Sequence, residues 1–150
     1  MAEASKSRHF GAITSDSIDA SVRTVRVDIN CERPEKMTQP MVDEVDRRVD
    51  ALDTMRDAAL ATFSAALEDA NSPHDQVEKF WEFHHDEVDA SITRDKFVAA
   101  LILRRAGFYP QGKPETFAVL DFVVRGETTD QILVANFDRL GVLSFVSWES

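Results

Sequence analysis

Phe117-Ala118-Val119-Leu120-Asp121-Phe122-Val123-Val124, Gln131-Ile132-Leu133-Val134-Ala135-Asn136-Phe137 and Val142-Leu143-Ser144-Phe145-Val146-Ser147-Trp148 decide the fold class. Each run is strand-length and rich in Val, Phe, Ile and Leu, which pack well on a pleated surface. Arg125-Gly126-Glu127 and Asp138-Arg139-Leu140-Gly141 separate them with turn residues. Links this short join antiparallel neighbours, so the last third reads as a three-stranded meander.

Upstream of the meander the apolar period lengthens from two to between three and four. Thr93 suits a helix cap, with Ile92 and Phe97 spaced as a hydrophobic staple. Leu101, Ile102 and Leu103 make this third helix apolar on most sides, so it is expected to be the most buried. Gly107 reads as its left-handed cap and Pro110 as its stop. A second helix starts at Ser72-Pro73 and runs to about Asp89, with Val77, Trp81, His84 and Val88 on one face. A first, long helix spans about Pro40 to Asp69. Val42, Val45, Val49, Leu52, Ala59, Phe63 and Ala66 form its apolar stripe.

Before the helices, Val25, Val27, Ile29 and Cys31 alternate with Thr24, Arg26, Asp28 and Asn30. That period of two predicts a half-buried strand over Val22–Cys31. Phe10 to Ile13 is a short strand candidate, and the first seven or eight residues are polar and expected to fray. The order of strands, three helices and three strands argues for an α+β fold. It is a mainly antiparallel sheet, N-terminal strands plus C-terminal meander, with three central helices on one face. No repeat or linker divides residues 1–150, which read as a single domain.

The chain carries 27 acidic and 17 basic residues, a net charge of −10. A surface of that sign repels nucleic-acid phosphates and anionic lipid, and steers encounter with basic protein surfaces. No apolar run is long enough to span a bilayer, and the start lacks the apolar stretch of a signal peptide. Cys31 is the sole cysteine. These features predict a cytoplasmic protein without membrane or nucleic-acid partners.

Catalytic patterns are scarce. There is no Gly-x-Ser-x-Gly elbow and no glycine-rich phosphate loop, and Cys31 sits on the apolar side of its strand. The chain is therefore read as a non-enzyme without a cofactor. An alternative is a small metal-binding or enzymatic domain centred on His84, His85 and Asp89, since His85 and Asp89 lie one helical turn apart. The pattern departs from the two-histidine spacing of a zinc-protease helix, however, and His84 falls on the apolar face. A stronger signal is the series Asp43, Asp46, Asp50, Asp53 and Asp57, at steps of three and four. All five fall on one stripe. Like charges one turn apart cost roughly 0.2–0.5 kcal/mol per pair. Such a stripe is either a solvated face or an anionic ridge that docks into a basic groove.

Phe10-Gly11, Leu103-Arg104-Arg105-Ala106-Gly107-Phe108-Tyr109-Pro110, Ala118-Val119-Leu120-Asp121-Phe122, Thr129-Asp130-Gln131-Ile132-Leu133-Val134, Phe137-Asp138 and Glu149-Ser150 follow one another in a familiar order. With these pieces the chain resembles the bacterial domain-of-unknown-function family 2004. The likeness is densest over residues 103–150 and thinnest over the first two helices. The resemblance implies an α+β domain of this size and no established activity. By analogy with small acidic families found beside polymorphic toxins, it implies an immunity protein. The expected partner is a cognate toxin with a basic surface or active-site groove, met through Asp43, Asp46, Asp50, Asp53 and Asp57. A housekeeping adaptor without a toxin is the remaining reading.

Overall fold

The computed structural model describes residues 3–126 and 129–150. Its chain order is β1 (Lys6–Ser7), β2 (Gly11–Ala12), β3 (Ser17–Val22), β4 (Val25–Asn30), α1 (Gln39–Asp50), α2 (Leu52–Glu68), α3 (Asp75–Glu87), α4 (Arg94–Phe97), β5 (Leu101–Phe108), β6 (Ala118–Val124), β7 (Ile132–Phe137) and β8 (Leu143–Glu149). The fold is α+β. Strands β3 to β8 form a six-stranded sheet in sequence order, and β1–β2 form a separate ribbon. Neighbours are antiparallel except β4 and β5, which run parallel because the helices return the chain to the same end.

The helices cover one face of the sheet. Val27, Ile29, Ala106, Phe108, Leu120, Phe122, Leu133 and Ala135 point into the core from the strands. Val42, Val45, Val49, Leu52, Met55, Ala59 and Phe63 meet them from α1 and α2, keeping one apolar stripe across the break at Ala51. Phe63 stands edge-on to Phe122 at 5.2 Å. Burying a ring of that size contributes about 2–3 kcal/mol. The opposite sheet face lacks a helical cover, so Arg26, Asp28, Arg105, Asp121 and Phe145 project away from the core.

Four expectations change. The long helix over Pro40–Asp69 is two, α1 and α2, broken at Ala51, so the three expected central helices are four among the described residues. The third helix stops at Phe97, and Leu101–Phe108 is strand β5, paired on both sides. Its inward residues Leu101, Leu103, Ala106 and Phe108 are spaced two, three and two, because a register shift between Leu103 and Arg105 inserts Arg104. That spacing imitates a helix. Gly107 is consequently a strand residue, not a cap. The single strand over Val22–Cys31 is a hairpin, β3–β4, whose turn holds Arg23 and Thr24 at φ of 46° and 69°. Such turns favour Asn-Gly, so Arg-Thr gave no turn signal. The N-terminus is anchored rather than frayed from Lys6 onward: Lys6 and Ser7 pair with Ala12 and Gly11, and Ser7 is buried. The meander is present as β6–β7–β8. Of its first turn, Arg125 and Gly126 are described, with Gly126 at φ 78°; Glu127 lies outside the described residues.

Candidate functional site

The parallel junction builds an ionic cluster on the open sheet face. Pairing sets Asp28 beside Gly107, and Arg105 of β5 opposite Asp121 of β6. The Arg105 guanidinium donates from Nε and Nη2 to the two oxygens of Asp28, both at 2.7 Å. Nη1 reaches Asp121 at 3.3 Å, and Nη2 also donates to the Tyr109 hydroxyl at 2.8 Å. Asp28 is 1% exposed. Its bidentate grip holds the guanidinium proton more tightly than usual. Burial pushes the Asp121 carboxyl up, with Arg105 opposing. Gly107 leaves the room: a Cβ there would stand 2.5 Å from Arg105 Nη2. With three of its nitrogens engaged, Arg105 has little left for a ligand, so the cluster pins β4 to β5 and β6.

The Asp series divides. Asp46 is 2% exposed, and its carboxylate accepts from the Ser7 hydroxyl at 2.6 Å and the Arg8 amide at 3.0 Å. It holds the N-terminal ribbon to α1 and has no free face for a partner. The other four are exposed. Asp43 accepts from Gln39. Asp50 is paired with Arg8 and His9, and the Arg8 contact, followed by His9, holds its carboxyl below the usual carboxylate range. Asp53 meets Arg23 at 3.1 Å and Arg56 at 3.5 Å, and Arg56 also reaches Asp57. The stripe is therefore exposed at Asp43, Asp50, Asp53 and Asp57, and basic side chains from β1 onward border it.

His84, His85 and Asp89 are not brought together. His84 is fully buried, with Nδ1 at 2.9 Å from the Phe80 carbonyl and its ring among Phe80, Phe83 and Phe97. Its Nε2 has no partner. His85 turns the other way, stacking on Trp81 with Nδ1 at the Ile92 carbonyl. The Asp89 carboxylate accepts from Ser91. Among the described residues no group of three His, Cys, Asp or Glu side chains is placed to hold a metal ion. No described helix is long and apolar enough to cross a membrane.

Shallow clefts ring the loop that follows β5. One, of about 340 Å³, is lined by Asp16, Asn30, Cys31, Glu32 and Tyr109. Burial pushes the Cys31 thiol up, away from the reactive thiolate. The adjoining cleft joins Arg33, Lys36 and Arg139 to Met41 and Pro110.

A second acidic stripe escaped the sequence reading. Asp75, Glu78, Glu82, Asp86 and Asp89 recur along α3 and just beyond it, at steps of three and four, opposite the buried Val77, Phe80 and His84. Lys79 pairs with Asp75 and Arg94 with Glu78. Among the described residues no basic side chain reaches Glu82, Asp86, Glu87 or Asp89 within 4.0 Å. Acids at a helix C-terminus oppose its dipole. The signal was in the spacing, but the aromatic and histidine neighbours drew it into the metal alternative. No family model matches the chain, and no match to it was found among curated proteins or solved structures.

Proposed function

We propose that the chain is an immunity-type binding protein, which neutralises a cognate bacterial toxin by direct contact through its acidic surface. The observation that supports this reading is the outward acidic face of the helical layer. Asp43, Asp50, Asp53 and Asp57 line α1 and α2, and a parallel series lines α3. Acids held one turn apart repel, and Glu82, Asp86 and Glu87 of α3 have no described basic side chain within 4.0 Å. A basic groove on a toxin would relieve that repulsion, speed encounter and make association steeply salt-dependent.

The test is co-expression with the product of the adjacent upstream gene, scored by growth and by a complex that survives purification. A complex with restored growth is the expected result. A complex without rescue would refute neutralisation, and the absence of both complex and rescue would overturn the immunity reading and leave the adaptor one. Within a complex, Asp50→Lys with Asp53→Lys is expected to weaken affinity at least tenfold. Unchanged affinity would remove the α1–α2 ridge from the interface.

A further inference from the structure

Strand β8 is an edge of the sheet, and its outer backbone groups have no neighbour among the described strands. Proteins blunt such edges with lysine, proline or bulges. The bulge here sits early, where Asn136 pairs with Phe145 and Phe137 with Leu143. Phe145–Glu149 beyond it run in regular register. From Leu140 to Trp148 there is no charged residue and no proline. The other edge, β3, carries Asp19 at its middle, within reach of Arg26.

The same segment gathers apolar surface. Of the five large hydrophobic residues that stand exposed among the described residues, Leu140, Val142 and Phe145 belong to it, at 79%, 58% and 40%. The turn that presents them is built, not loose. Gly141 sits at φ 79°, the Asp138 carboxylate accepts from the Leu140 and Val142 amides, and Arg48 of α1 donates to the Leu140 carbonyl. An edge strand without charge up to Trp148, regular beyond its early bulge and carrying ordered apolar side chains, fits an extended segment added as a further strand.

Charge selects the occupant. Helix α3 packs on β8 through Phe80 and Phe83, whose rings lie 5.9 and 5.5 Å from Trp148. Glu87 stands four residues beyond Phe83, on the same flank of α3, and Asp86 stands three beyond it, at the border between that flank and the outward acidic stripe. Glu149 closes the strand itself. A second copy of this chain, at −10, would bring like charge to this edge. A basic segment would not. We propose that β8 receives an extended segment of another protein by β-strand addition, with apolar side chains over Phe145 and Val142 and Lys or Arg side chains toward Asp86 and Glu87. This deepens the immunity reading and rests on it for the partner's identity, giving the toxin a backbone docking site beside the acidic helix.

The probe is an eight-residue peptide of alternating valine and lysine, titrated against the full chain and followed by Trp148 fluorescence and calorimetry. Binding is expected. It should fall at least tenfold with Phe145→Lys, with Asp86→Lys plus Glu87→Lys, or when the peptide amides facing the strand are N-methylated. Equal binding of the N-methylated peptide would overturn strand addition. Equal binding of a valine–glutamate peptide would overturn the basic preference. No binding, or dimerisation through β8 in sedimentation, would overturn the proposal. Because no toxin is present in this assay, its failure leaves the co-expression result standing, and failed rescue leaves the peptide result standing.

Discussion

Replacing Gly107 by alanine adds one methyl group to a strand whose backbone accepts any residue, so strain is not the issue. The issue is clearance. The new Cβ would lie 2.5 Å from Arg105 Nη2 and 3.1 Å from Asp28 Oδ1. Arg105 has to move, and its two 2.7 Å bonds to Asp28 go with it. Removing one partner of a buried ion pair costs about 3–5 kcal/mol. Arg105 is 24% exposed and can swing outward while keeping part of its contact with Asp121, which lowers the expectation to about 2–4 kcal/mol. At a urea slope of about 2 kcal/mol per molar, the midpoint falls by about 1–2 M. Equilibrium urea unfolding, followed by tryptophan fluorescence, reads this directly. The control is a double-mutant cycle. In an Arg105→Met background, where the guanidinium is already gone, Gly107→Ala should cost less than about 0.5 kcal/mol. If the two losses simply add, the crowding argument is wrong.

Three further outcomes are expected. Asp46→Ala should destabilise by about 2–4 kcal/mol, since two bonds to a buried carboxylate are lost and the Arg8 amide is orphaned, whereas exposed Asp43→Ala should change stability by under about 0.5 kcal/mol in the same urea assay. Asp121 has a raised folded-state pKa, so its contribution to stability is complete below the ordinary value of 3.8 and is lost as pH rises through the raised one; urea midpoints of the parent should therefore fall relative to Asp121→Asn as pH rises above 3.8, and parallel curves would refute the assignment. Cys31 should resist an aromatic disulfide reagent in the native protein and react quickly in urea; rapid native labelling would contradict its burial.

Periodicity gave away the elements that bury one clean face. The strands from Phe117 onward, the Val25–Asn30 strand and the helical stripe from Val42 to Ala66 keep periods of two or of three to four, disturbed only by the extra Ser144 in β8 and the break at Ala51. Strand β5 did not, because one inserted residue turned its alternation into a helical spacing and Gly107 beside Pro110 imitated a helix stop. The turn at Arg23–Thr24 was silent because neither residue favours positive φ. Of the Asp series, spacing correctly placed Asp43, Asp50, Asp53 and Asp57 on an exposed stripe. Nothing local could show that Asp46 meets Ser7, a residue 39 positions away. The Arg105 cluster was equally invisible, since Asp28 lies 77 residues from Arg105 and the parallel pairing that joins them exists only in three dimensions.

That parallel pairing also sets an order of events for the emerging chain. The β3–β4 hairpin is made early, but β5, its neighbour, follows only after residues 31–100 have been added. At a synthesis rate of about 5–20 residues per second, Val27 and Ile29 wait several seconds without the strand that seats them. During that interval the hairpin edge that will receive β5 is open to mispairing, and the Asp28 carboxylate on it has no counter-ion from β5. A carboxylate there disfavours apolar strands from other nascent chains, and it becomes a fastening only when Arg105 arrives.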